Sequence, residues 1–299
     1  TRQAVAAVLL VLACGSVAAA PITLSSNYVQ ATITDRGVLS NLIYDVSGTG
    51  TFDSRTDYVS PGTPFEGFGV RVGTTSNLYN SNSGAQQIAG SLATVTGVFD
   101  YGALWTGGNG LYTIEHLFHF NDGDERVNIT TTLTALSDLN DVRISRAVDP
   151  DPDVGIYSNF NTNNQRGIAA QSISVEDFVG SLGAVSGLPL GLFYSGEIDH
   201  NTGIVSTCCS ITDPDTYLTG GNLGDSSSGD HGIGLAWALG SLTSGQSITW
   251  SYGYVMGGSL ETIDIPGRDP GISVPEPASL ALFSIGLVGL GALRRRKAV

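Results

Sequence analysis

Apolar and polar residues alternate with a period of two along much of the chain. Tyr112, Ile114, His116, Phe118 and Phe120 fall on one face of a predicted strand, Asn121-Asp122-Gly123-Asp124 supplies a turn, and Val127, Ile129, Thr131, Leu133 and Ala135 line a return strand. Successive side chains of a strand point to opposite faces, so this pattern predicts a β-hairpin. Comparable alternation predicts strands at 28–34, 38–44, 68–72, 88–99, 142–148, 172–178, 188–194, 232–239 and 247–256. Residues 41–64 and 74–87 are rich in Gly, Ser, Thr and Asn and predict loops. No window before the C-terminal tail repeats its apolar residues at the helical period. About a dozen strands without intervening helices predict an all-β fold, a two-sheet β-sandwich of jelly-roll or larger type. No repeat at a fixed spacing supports a solenoid or propeller.

The two ends break this pattern. Ala4 to Leu12 is a short apolar run after Arg2, and the small residues Val17-Ala18-Ala19-Ala20 follow, which is the layout of a secretory signal peptide spanning 1–20 with its start truncated. Val11-Leu12-Ala13-Cys14-Gly15 also resembles a bacterial lipobox, with Cys14 as the lipidated residue. At the other end, Glu261 to Ser273 reads as a linker behind a β-sandwich ectodomain over 21–260.

Val274-Pro275-Glu276-Pro277 is followed by sixteen uncharged residues, Ala278 to Leu293, and then by Arg294-Arg295-Arg296-Lys297. Residues 274–299 resemble the PEP-CTERM sorting tail, in which a Pro-Glu-Pro motif, a hydrophobic helix and a basic cluster occur in that order. The resemblance implies an exosortase-type processing enzyme as partner and a Gram-negative envelope, surface or exopolysaccharide matrix as destination. Sixteen helical residues extend about 24 Å, just short of a hydrocarbon core of about 30 Å. Such a segment anchors a chain to the membrane at least transiently. The basic cluster Arg294, Arg295, Arg296 and Lys297 holds its end in the cytoplasm, which leaves Pro275, Glu276 and Pro277 on the far side. The two prolines keep that motif extended and accessible.

Composition narrows the function of the rest. Charged residues make up only 13% of the chain and Gly numbers 40. Between the two terminal segments lie 26 acidic residues against eight Arg and no Lys. Such a surface repels phosphate backbones, so nucleic acid is excluded as a partner.

Several constellations invite chemistry. His116 and His119 have opposite strand parity, so they cannot converge on one zinc ion. Asp149-Pro150-Asp151-Pro152-Asp153 spaces its carboxylates like a calcium ladder, but Val154 and Phe160 stand where an EF-hand needs Gly and Glu. Asp149, Asp151 and Asp153 are therefore candidates for calcium outside that motif, with a rigid acidic turn as the default and no other cofactor expected. Gly224-Asp225-Ser226 matches the start of a hydrolase block without the strand-to-helix elbow that activates such a serine.

Ser195-Gly196-Glu197-Ile198-Asp199 resembles the catalytic strand of laminarinase-like β-glucanases, in which alternate carboxylates share one face. The resemblance implies Glu197 as nucleophile and Asp199 as its supporting acid. The family's second Glu is missing, because His200, Asn201 and Thr202 follow. Trp105, beside Gly107-Gly108-Asn109-Gly110, sits at a loop entry, where packing against its own hairpin is the default and an exposed indole that could stack on a sugar is the alternative. Adjacent Cys208 and Cys209 could join in a vicinal disulfide, pair between chains or stay free. The expectation is a non-enzymatic, surface-sorted β-sandwich. A glycan-binding module using Trp105, Glu197 and Asp199 is the alternative, and a jelly-roll carbohydrate-active enzyme stands behind it.

Overall fold

The predicted hairpin forms the middle of the largest sheet. In the computed structural model, which describes residues 20–210 and 212–267, both of its strands alternate strictly between buried and partly exposed positions. The backbone amide of Asp124 donates to the Asn121 carbonyl at 3.1 Å to close its turn.

In chain order the strands are β1 (Ile22–Ser25), β2 (Val29–Ile33), β3 (Leu39–Tyr44), β4 (Glu66–Val72), β5 (Leu78–Ser81) and β6 (Ala89–Thr94). Next come β7 (Tyr101–Gly108), β8 (Tyr112–Phe120), β9 (Arg126–Ala135), β10 (Leu139–Val148), β11 (Thr162–Arg166) and β12 (Phe178–Gly183). The last are β13 (Pro189–Phe193), β14 (Asp199–Val205), β15 (Ser226–Gly229), β16 (Gly232–Leu242) and β17 (Ser247–Met256). The helices α1 (Val154–Tyr157) and α2 (Pro214–Leu218) are each about one turn long.

The all-β expectation holds, but the described residues form 17 strands in three hydrogen-bonded sheets in place of two. One sheet has nine strands in the order β15-β11-β12-β13-β17-β9-β8-β7-β6, a second has β14-β16-β10-β4-β5, and a third has β1-β2-β3. The two smaller sheets both pack on the inner face of the nine-stranded one. Trp237 of β16 lies 4.5 Å from Tyr252 of β17, ring centre to ring centre, and Phe68 of β4 lies 4.5 Å from His116 of β8. Leu24, Val29, Ala31, Ile33 and Leu42 of the smallest sheet join the same apolar core. The architecture is thus a two-layer sandwich with one layer divided. Short strands such as β5 and β15 lie in segments whose composition reads as loop, and β12 begins only at Phe178, where the predicted strand 172–178 ends.

A buried ion pair joins the three sheets. Glu66 of β4 and Arg146 of β10 are both 0% exposed, and the Arg146 Nε pairs with Glu66 Oε1. The Tyr254 hydroxyl of β17 donates to the same oxygen at 2.6 Å, while the Leu39 amide of β3 donates to Glu66 Oε2 at 2.6 Å. Arg146 Nη1 also donates to the Gly37 carbonyl at 3.1 Å, and the guanidinium carbon stands 5.3 Å from the Phe118 ring centre. Each buried charge is tolerated because the other faces it. Sequence periodicity showed none of this, since Arg146 falls within a strand whose neighbours alone determine that it is enclosed.

The fold continues beyond the predicted boundary at 260. Ile263 is buried, and Asp264 pairs with Arg126 and accepts from the Glu125 amide at 2.8 Å. The predicted signal peptide, the hydrophobic segment 278–293, the Pro-Glu-Pro motif and the basic cluster lie outside the described residues. Among the described residues no helix is long and apolar enough to cross a membrane.

Candidate functional site

One group of candidate residues gathers at one end of the five-stranded sheet. Strand β16 pairs with β10 through Val148↔Ile233 and with β14 through Val205↔Gly232. The end of β10, the start of β16 and the end of β14 therefore lie side by side. Asp149 and Asp151 leave the end of β10, Asp230 sits in the two-residue link from β15 into β16, and Cys208-Cys209 follow β14.

Carboxylate oxygens of Asp149, Asp151 and Asp230 lie within 4.8 Å of one another. Asp149 is 4% and Asp151 3% exposed, whereas Asp230 opens to solvent. Asp151 Oδ1 is buried without a hydrogen-bond partner. The polar contact made by the Asp149 carboxylate is with Cys209 Sγ at 3.6 Å, and that sulfur carries no hydrogen because it is bonded to Cys208. Burial, with the nearby charge of Asp230 second, pushes the Asp149 carboxyl up to about 7. Burial first, then the charges of Asp149 and Asp230, push Asp151 up to about 8.

Asp153, the third predicted calcium ligand, does not belong to this cluster. Its carboxylate accepts the amides of Val185 at 2.6 Å and Ser186 at 3.2 Å, so it ties down the turn between β12 and β13. The alternating prolines turn it away, and Asp230 takes its place through strand pairing. Asp230 was not readable as a partner, because only the β10–β16 register brings it to Asp149. Of the three states left open for Cys208 and Cys209, the structure shows the vicinal disulfide.

Trp105 packs against its own hairpin, and the alternative of an exposed sugar platform falls. It is 0% exposed within β7, its Nε1 donates to the Asp35 carbonyl at 2.7 Å, and its ring stacks on His116 at 5.5 Å. The neighbouring glycines make room for the indole instead of opening a loop. A Cβ at Gly107 would lie 2.3 Å from the ring, and one at Gly37, whose φ is +74°, would lie 2.5 Å away.

Glu197 and Asp199 are both exposed, but they do not share a strand face. Glu197 falls in a bend, and Asp199 is the first residue of β14. Asp225, in the hydrolase-like triplet, pairs with Arg166 at 2.8 Å, and Ser226 opens the exposed edge strand β15. His116 is buried against Thr131 at 2.8 Å while His119 reaches the opposite face, as strand parity requires.

The outer face of the nine-stranded sheet carries a hydroxyl ladder. Thr130 meets Ser251 at 2.8 Å, Thr132 meets Thr249 at 2.9 Å and Thr134 meets Ser247 at 2.7 Å. Beside it Phe99, Leu104, Glu115, Leu117, Thr130 and Thr132 line an open groove of about 300 Å³.

The family model of the PEP-CTERM protein-sorting motif matches residues 273–297. The chain carries a PEP-CTERM tail. None of the curated proteins compared matches this sequence. Among solved structures, a bacterial glucoamylase complexed with acarbose is similar over 80% of this chain and 32% of its own, with a TM-score of 0.54 at 14% identity. The chain thus spans about a third of that structure's length. A putative aldose 1-epimerase from Escherichia coli aligns over 78% of this chain and 97% of its own, at 12% identity and a TM-score of 0.34. A galactose mutarotase-like protein from Lactobacillus casei aligns over 79% and 99%, at 12% identity and a TM-score of 0.38. The likeness to the glucoamylase is one of fold, since one β-sandwich hosts many chemistries.

Proposed function

We propose that this chain is an exported, non-enzymatic protein of the cell envelope or exopolysaccharide matrix, sorted and processed at its PEP-CTERM tail by an exosortase-type enzyme. The observation that carries this reading is the match of the sorting motif to residues 273–297, which contain Pro275-Glu276-Pro277, the apolar segment and the basic cluster in order. In this reading Arg294 to Lys297 remain on the cytoplasmic side, the apolar segment is held in the membrane, and the extended Pro-Glu-Pro motif is presented to the processing enzyme beyond it. The acidic, Lys-free ectodomain stays soluble beside anionic lipid. Separation of Glu197 from Asp199 between a bend and a strand start supports a role without glycoside hydrolysis, which needs two convergent carboxyls.

The test replaces Pro275, Glu276 and Pro277 with Ala and measures the intact mass of the protein from envelope and medium. The unaltered chain is expected to lose the mass beyond the motif, and the variant to be exported with its tail retained. Processing that continues unchanged in the variant would overturn the proposal.

A second reading is glycan binding, favoured by the open groove beside the hydroxyl ladder. Hydroxyls and an adjoining half-buried aromatic ring, Phe99, offer the mixture of hydrogen bonding and stacking that sugars use. This reading moves the contact surface from Trp105 to the outer sheet face.

A further inference from the structure

We propose that Asp149, Asp151 and Asp230 form a calcium site at the end of the five-stranded sheet. Three observations carry it. The first is geometric: oxygens bound to one calcium ion at about 2.4 Å lie no more than about 4.8 Å apart, and the three carboxylates meet that limit. The second is the unpartnered Asp151 Oδ1, buried in a side chain that is 3% exposed and that shares this cluster with the other two carboxylates. Other buried aspartates of this protein are not left so. Asp57 accepts the amides of Leu42, Val59 and Ser60, and Asp153 accepts those of Val185 and Ser186.

The third observation is that, among the described residues, no Lys or Arg is left to neutralise the cluster. The described residues include no Lys, and six of their seven Arg are paired elsewhere: Arg55, Arg71, Arg126, Arg143, Arg146 and Arg166. The seventh, Arg36, donates to the Asn82 carbonyl. Carboxylates enclosed without donor or counter-ion resist ionisation, and a bound cation removes that cost.

The donor set selects the ion. All three side chains offer hard oxygen ligands, which suit calcium or magnesium over zinc or copper. The disulfide removes the thiolates of Cys208 and Cys209 from competition. Asp230, exposed on a link between strands, leaves room for water to complete an irregular shell of six to eight ligands, which calcium accepts and octahedral magnesium does not. Gly62, with φ +70°, lets its loop close over Asp151, since a Cβ there would sit 3.2 Å from Oδ2.

The experiment strips the full chain with chelator, then titrates CaCl2 while following thermal unfolding and, separately, heat of binding. One saturable site with Kd at or below about 1 mM is expected, as for exported calcium modules, with a melting temperature that rises to a plateau. Asp230→Asn, on the surface, is expected to melt like the parent in chelator and to lose at least about ten-fold in affinity. Asp151→Asn is expected to melt higher than the parent in chelator and to lose the calcium-dependent rise. No saturable binding up to 10 times that Kd, undiminished binding by Asp230→Asn, or MgCl2 binding as tightly as CaCl2 would each overturn the assignment.

Discussion

Replacing Arg146 with Met tests whether the buried ion pair holds the three sheets together. The substitution keeps an unbranched apolar stem in the space between Phe68, Phe118 and Tyr254, so the change is chiefly electrical. Glu66 is left fully enclosed with the Tyr254 hydroxyl and the Leu39 amide as donors. Removing one member of a buried pair costs about 3–5 kcal/mol, a large share of the roughly 5–15 kcal/mol that stabilises a folded domain. With a urea slope of about 3 kcal/mol/M, the unfolding midpoint should fall by about 1–1.7 M. Tryptophan fluorescence reports it, because Trp105, Trp237 and Trp250 all lie in the core.

The double variant Glu66→Gln/Arg146→Met separates charge from packing. Gln keeps an oxygen for the Leu39 amide and carries no charge, so the double variant should recover about 2 kcal/mol relative to Arg146→Met. A midpoint shift below about 0.3 M in Arg146→Met, or a double variant whose loss equals the sum of the single losses, would refute this reasoning.

Two further outcomes are expected. Burial first, and then the Arg146 charge, hold the His116 imidazole well below its ordinary pKa, so the folded protein refuses a proton that the unfolded chain accepts below about pH 6.5. Stability is therefore intact above that pH and is lost by about 1.4 kcal/mol per unit as pH falls beneath it; the stability difference between His116→Phe and the parent should shift with that slope between pH 6.5 and 5, and a constant difference would exclude it. Phe99→Ala should weaken retention of the ectodomain on purified exopolysaccharide by about 0.5–1.5 kcal/mol, as the loss of one stacked ring does, while Glu197→Gln leaves it unchanged; equal retention by Phe99→Ala removes the groove from the glycan reading.

What could be read from the linear chain had local causes. Alternation in Tyr112–Phe120 and Val127–Ala135 is set by the direction of successive side chains, so the central hairpin and the opposed faces of His116 and His119 were legible before any contact was known. The sorting tail was legible for the same reason: Pro-Glu-Pro, an apolar run and a basic cluster act in sequence order, without a fold to assemble them. Strands β5 and β15 escaped notice because each is only four residues long within a segment rich in Asn, Ser and Gly, too short to show alternation, and edge position tolerates that composition.

The candidate site depended on long-range pairing. The glycines beside Trp105 are typical of loops and left an open indole as an alternative, but they are the space the indole fills. Asp149, Asp151 and Asp153 looked like one ladder because they are neighbours in sequence, but Asp153 turns to cap the β12–β13 turn and Asp230, some eighty residues away, closes the cluster. The sequence alone determined an acidic, Lys-free, all-β ectodomain behind a sorting tail, since composition, period and motif order are properties of the chain itself. Only the tertiary structure decided which charges are enclosed and which meet, because burial and the distance between carboxylates are set by the register of strands far apart in the chain.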